Sequence, residues 1–168
     1  MSENFERAFN EILVIEGVIV TNLKSDRGGL TKYGISQKAF PKVDIENLTL
    51  DGAKKIYFDN YWKTNSLNLE VFESKIANEL FDIAVNMGVG TASKTLQKGL
   101  NLMNRNERDW KDMKVDGVAG AETMKAYFKC RKDVLLKVLN GLQFSRYVEI
   151  VTNDPEQEQN FNGWMKRV

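Results

Sequence analysis

Apolar residues recur at helical spacing along most of the chain. Phe5, Ala8, Phe9, Ile12 and Leu13 mark one face of an opening helix. The stretch from Val18 to Ile35 loses that period and contains Asp26-Arg27-Gly28-Gly29, a loop or hairpin signal. Thr49 stands as the N-cap of a helix whose inner face carries Ala53, Ile56, Tyr57 and Tyr61. Ile76, Leu80, Ile83 and Met87 form the next stripe, closed by Gly88 and Gly90. Ala92, Leu96, Leu100 and Met103 form another, followed by a polar stretch from Asn104 to Asp109. Asp116-Gly117-Val118-Ala119-Gly120 reads as a tight turn. Met124, Tyr127 and Phe128 lie on a short helix, a long helix runs from about Lys132 to Thr152, and Asp154-Pro155 precedes a last helix carrying Phe161, Trp164, Met165 and Val168. The pattern predicts a mainly α fold with a small β-hairpin element near residues 18–35.

Two prolines, Pro41 and Pro155, and no low-complexity linker interrupt the 168 residues. An N-terminal lobe, 1–75, and a helical C-terminal lobe, 76–168, are therefore expected to share one core. With 42% hydrophobic and 28% charged residues the chain can bury that core. Its 24 basic residues are matched by 23 acidic ones, so the basic excess of an electrostatic nucleic-acid binder is missing. The absence of His excludes imidazole acid–base chemistry and His metal sites. A single Cys excludes an internal disulfide and suits synthesis in a reducing compartment. Cys130 sits among Lys129, Arg131 and Lys132, but with no His as base it reads as structural. No carboxylate spacing suits a Ca²⁺ loop, and neither a metal nor a cofactor is expected. The first apolar run, Ile12 to Val20, is interrupted by Glu16 and follows Glu3, Glu6 and Glu11, unlike a signal peptide. No run reaches the ~18–20 apolar residues of a membrane span. The expectation is a soluble monomer made in the cytoplasm, without stable membrane insertion.

Glu16 is the most informative residue. It continues the spacing of Phe5, Phe9 and Leu13, so an apolar face ends in a carboxylate, and Gly17 leaves it without a bulky neighbour. A carboxyl group held against apolar surface loses hydration and keeps its proton to higher pH, as a general acid must. Periodicity alone leaves a second reading open, since helices also end in solvated charges.

Glu16-Gly17 followed by Asp26-Arg27-Gly28-Gly29-Leu30-Thr31-Lys32-Tyr33-Gly34-Ile35-Ser36 resembles the N-terminal signature of the glycoside hydrolase 108 family. Tyr61-Trp62, Phe81-Asp82-Ile83-Ala84-Val85-Asn86-Met87-Gly88 and Leu96-Gln97-Lys98-Gly99-Leu100-Asn101 are similar to later motifs of that family. So are Val115-Asp116-Gly117 with Gly120 and Thr123, and Phe161-Asn162-Gly163-Trp164 with Arg167-Val168. The C-terminal half resembles a predicted peptidoglycan-binding segment. Two departures stand out. Val18-Ile19 replaces the family's Gly-Tyr after Glu16-Gly17, and Arg27 replaces its proline before Gly28-Gly29.

The resemblance implies a lysozyme-like helical fold and an N-acetylmuramidase of the phage endolysin kind. Such an enzyme cleaves the β-1,4 bond between N-acetylmuramic acid and N-acetylglucosamine of bacterial peptidoglycan and so lyses cells. It implies Glu16 as proton donor. The order Glu16, Asp26, Thr31 is also similar to that of phage lysozymes of the T4 type, which gives Asp26 and Thr31 as helpers that hold water in an inverting reaction. Asn86 is a candidate to grip an N-acetyl group, and Tyr33 and Trp62 are candidates to stack on sugar rings. A wall hydrolase lacking a signal peptide needs a holin or an export route to reach the periplasm or cell wall. The alternatives are a lytic transglycosylase, which needs no water-activating partner, a noncatalytic murein-binding or secretion-assisting module, and a host-directed phage protein.

Overall fold

The computed structural model describes residues 1–16 and 29–168, the side chains of residues 15 and 16 excepted. Among the described residues the chain is mainly helical with one small antiparallel hairpin, as the pattern predicts, and it forms two compact units, Met1–Lys63 and Thr64–Val168. A division after residue 75 would cut the first turn of a helix that starts at Ser74.

The first unit is built on an aromatic cluster. Helix α1, Glu3–Glu16, is started by Ser2, whose hydroxyl accepts from the Phe5 amide at 3.3 Å, and by Glu3 and Glu6, whose charges suit the helix N-terminus. Phe5, Ala8, Phe9 and Ile12 are buried. Strands β1, Thr31–Lys32, and β2, Ile35–Ser36, pair in the register Thr31 with Ser36 and Lys32 with Ile35. Their two-residue connection has φ of 53° at Tyr33 and 75° at Gly34, the type I′ pattern whose twist matches a tight hairpin. Helix α2, Leu50–Tyr57, begins as expected at Thr49, whose hydroxyl accepts from the Gly52 amide at 3.1 Å.

Helix α2 then widens into a π-helical turn, Phe58–Trp62, closed by the Lys63 amide donating to the Phe58 carbonyl. A continuing α-helix would have carried Tyr61 inward beneath Tyr57. The π turn adds a residue and swings Trp62 in instead. The Trp62 and Phe58 rings both meet Phe5 edge-on, at 5.4 and 5.0 Å between centroids, and Tyr57 meets Phe9 in the same way.

The second unit packs α3, Ser74–Met87, α4, Val89–Met103, and α6, Lys132–Asn153, around a common core. Leu80, Phe81, Leu96, Leu100, Leu135 and Leu139 are fully buried there. Gly99 permits the close approach of α4 to α6, since a methyl group at that position would come within 3.3 Å of Val138. Gly88, at φ 91°, ends α3 and lets α4 start at once in a new direction. After α4, Arg105, Asn106 and Glu107 follow one another at positive φ, a single left-handed turn of non-glycine residues. Asn104 stabilises this turn by accepting from the Glu107 amide and donating to Asp112.

Helix α5, Ala121–Lys129, precedes α6, and the chain ends in α7, Glu158–Trp164, and a 3₁₀ turn, Met165–Arg167. Trp164 stacks on Tyr147 of α6 at 5.0 Å, and the Arg167 guanidinium donates to Asp82 of α3 at 2.6 Å. Both side chains of that ion pair are close to nine-tenths buried. Removing one partner of such a pair strands the other charge. Arg167→Met should therefore lower stability by about 3–5 kcal/mol in denaturant unfolding. The double substitution with Asp82→Asn should recover most of the loss.

Candidate active site

The frame that would hold the sequence-predicted acid lies wholly in the first unit. Glu16 is the last residue of α1, and the burial of Phe5, Phe9 and Ile12 fixes the axis that delivers it. Its side chain and all of Asp26 lie outside the described residues. Thr31 opens β1, and its hydroxyl donates to the Gly29 carbonyl at 3.3 Å. With its hydrogen used there, Thr31 Oγ1 can only accept from a further partner.

The hairpin is tied to the helices through its turn. The buried Tyr57 hydroxyl donates to the Tyr33 carbonyl at 3.0 Å, while the Tyr57 ring packs on Phe9 of α1. The Tyr33 ring is half-buried, with the Lys32 ammonium 5.6 Å from its centroid. Trp62 requires a correction. It is 0% exposed and packed on Phe5, so it is a core residue and offers no face to a sugar.

Asn86 belongs to the second unit, near the end of α3, where its side-chain nitrogen donates to the Tyr147 hydroxyl. Gly88, and not Asn86, is the helix cap. Around Tyr147 lies a polar network that the sequence signals only as fragments. Gln143 donates to Asp82 at 2.8 Å and to Tyr147 at 3.3 Å, and Asp82 also holds Arg167. Burial pushes the Tyr147 hydroxyl above its ordinary value, and the charge of Asp82 adds to the effect. Cys130 is buried, its thiol donates to the Tyr127 carbonyl at 3.1 Å, and burial raises its pKa, in keeping with a structural role. Among the described residues no cluster of three or more carboxylate or thiol groups is poised for a metal, and no helix is long and apolar enough to cross a membrane.

Residues 9–88 match the family model for Glycosyl hydrolase 108, and residues 91–168 match that for a Predicted Peptidoglycan domain. Glu16, Asp26, Thr31, Tyr33, Trp62 and Asn86 all fall within the first match. No curated protein matches the chain in sequence. The solved structure of Brucella abortus SagA is similar, with a TM-score of 0.74 and 24% identity over 97% of this chain and 88% of that one. The likeness shows a shared fold, mainly α and lysozyme-like.

Glu79 on α3 was not legible as special in the sequence. Burial, with the charge of Asp82 adding to it, pushes its pKa up to about 8. In the orientation that pairs its amide with acceptors, Asn140 donates to the Glu79 carboxyl at 3.0 Å and to the Leu136 carbonyl. The native state thus keeps a proton that the unfolded chain releases near the ordinary value of 4.5. Between these pH values the folded state binds more protons, so stability should fall as pH rises from about 4.5 to 8. Glu79→Gln should flatten that dependence and raise the melting temperature at pH 8 relative to wild type, as followed by calorimetry across the range.

Proposed function

We propose that the chain, whose residues 9–88 match the glycosyl hydrolase 108 model and whose residues 91–168 match a predicted peptidoglycan domain, is a member of that family and an N-acetylmuramidase acting on bacterial peptidoglycan. The observation that carries the reading is the placement of Glu16 on α1, a helix pinned by Phe5, Phe9 and Ile12, in the same unit as the hairpin that bears Thr31.

In this mechanism Glu16 protonates the glycosidic oxygen as the bond to the anomeric carbon breaks. A water attacks from the opposite face and gives its proton to Asp26, so inversion results. Thr31 Oγ1 accepts a hydrogen bond from the second O–H of that water, which stays on the product, and a lone pair of the water oxygen faces the anomeric carbon. Tyr33 supplies an aromatic face for a sugar ring. The endolysin role follows from the same activity, with a holin or export route giving access to the wall.

Glu16→Gln should abolish release of reducing ends from murein with an unchanged melting curve, since the amide is nearly isosteric and has no acidic proton to deliver. The loss should be at least the ~10²–10⁴ of general acid catalysis. Near wild-type turnover would remove Glu16 from the mechanism.

Asp26→Ala should reduce turnover strongly and substrate binding much less. Proton NMR of the first-formed wild-type product should show the α-anomer. A β-anomer at early times would remove the water-holding role of Asp26, and a 1,6-anhydro product would replace hydrolysis by transglycosylation.

A further inference from the structure

The second unit carries a run of neighbouring recesses beside α4, α5 and the left-handed turn. The largest, about 840 Å³, lies between the end of α4, the left-handed turn and the junction of α5 with α6. Four cations line it, Arg105, Arg108, Lys129 and Arg131, against the single carboxylate of Asp109. That local excess stands out in a chain of net charge +1. Arg105 already spends its guanidinium on Asp109 and Arg131 spends its own on Asp133. Arg108 and Lys129 are exposed and form no ion pair with any described residue.

Trp110 forms one wall. Its indole N–H donates to the Leu100 carbonyl at 3.2 Å, which fixes the plane of the half-buried ring. Trp110 and Lys129 also line a second recess of about 300 Å³, where Lys111 and Lys125 stand with Asp112 and Glu122. That recess in turn shares Met113 and Glu122 with a third, of about 260 Å³. The three recesses are neighbours along the surface, each sharing lining residues with the next, an elongated arrangement that suits a polymer better than a single small molecule.

We propose that this arrangement is a binding groove for peptidoglycan in which Trp110 stacks on a sugar ring and Arg108 and Lys129 pair with carboxylates of the stem peptide. The assignment rests on the wall-polymer reading above and adds to it a site apart from the catalytic residues. A rigid indole face suits the apolar face of a pyranose. Arg108 and Lys129, exposed beside it and sharing with Arg105 the one charge of Asp109, suit a ligand that carries carboxylates at intervals along a glycan. A polyol phosphate chain would use the cations but leave the aromatic wall without a ring to meet. The left-handed turn at Arg105, Asn106 and Glu107 is part of the construction. It is held by Asn104, by the Arg105–Asp109 fork and by the Glu107–Lys111 pair, and it sets Arg108 and Trp110 at the rim.

The test uses the full chain carrying Glu16→Gln, so that binding is read without digestion, and purified murein sacculi stripped of phosphate polymers. In a pelleting assay Arg108→Gln and Lys129→Gln should each weaken binding roughly two- to fivefold, the range for an exposed charge, and together by about tenfold. Sacculi with amidated stem carboxylates should bind the parent as weakly as normal sacculi bind the double variant. Unchanged binding by the double variant, indifference to amidation, or binding that needs the phosphate polymers would each overturn the assignment. The hydrolase reading fails separately, if the chain with Glu16 intact releases no reducing ends from sacculi that it binds through Arg108 and Lys129.

Discussion

A buried polar group left unpaired costs more than most single packing contacts return, and this constraint organises both units. Gln97, 2% exposed, meets it with both ends of one amide. Its nitrogen donates to Asp116 and to the Val118 carbonyl, and its oxygen accepts from the Gly117 amide. The 116–120 turn is thereby closed onto α4. Asn101, one turn further along α4, does the same for the next segment, donating to and accepting from the backbone of Met113. Asp82 meets the constraint through Gln143 and Arg167, and so draws the last turn of the chain back to α3. In the first unit the Tyr57 hydroxyl, buried with its ring, finds the Tyr33 carbonyl and fixes the hairpin. Each tie joins segments distant in sequence, which apolar packing, being non-directional, would leave free to slide.

The helices were legible because their apolar stripes and end signals agree. The stripe of α1, the Thr49 cap, the stop at Gly88 and the span of α6 all appear where the pattern puts them. The failures are places where the backbone leaves the common periods. Tyr61 and Trp62 exchange roles because of one π turn, and a 3.6-residue period has no way of announcing it. Tyr33 takes a positive φ that Asn or Asp adopts more readily, so Tyr33-Gly34 did not read as the hairpin turn, while Asp26-Arg27-Gly28-Gly29 did. The left-handed turn at Arg105 is held by side-chain partners from Asn104 to Asp112, and none of those residues advertises it alone.

The motifs that carried the family resemblance also serve the fold. Those of the C-terminal half contain the polar residues that close the fold. Asp82 and Arg167 come from two separate fragments and form one ion pair, while Gln97, Asp116, Gly117 and Thr123 come from two others and meet in one knot. Their reading as wall-binding signals thus has a plainer physical basis in buried pairing. The basic recess, by contrast, left no motif. Arg105, Arg108, Lys129 and Arg131 are ordinary surface cations in sequence, balanced by acids elsewhere, and only the fold gathers them beside Trp110. A near-zero net charge therefore excludes a uniformly basic protein but is silent on local fields.

The catalytic proposal gains a constraint from Thr31. A threonine on a strand is ordinary, and its hydroxyl can serve either as donor or as acceptor. The bond to the Gly29 carbonyl removes that freedom, because the one hydroxyl hydrogen is already placed. An attacking water must expose a lone pair to carbon, so both its hydrogens have to be directed elsewhere. A carboxylate and an accepting hydroxyl satisfy that requirement together. In a retaining reaction the second carboxylate would itself contact carbon, at about 5–5.5 Å from the acid, and the first step would need no water. In direct displacement that water is the nucleophile of the only step, so Asp26 and an accepting Thr31 would act on it together, which is the ground for proposing inversion.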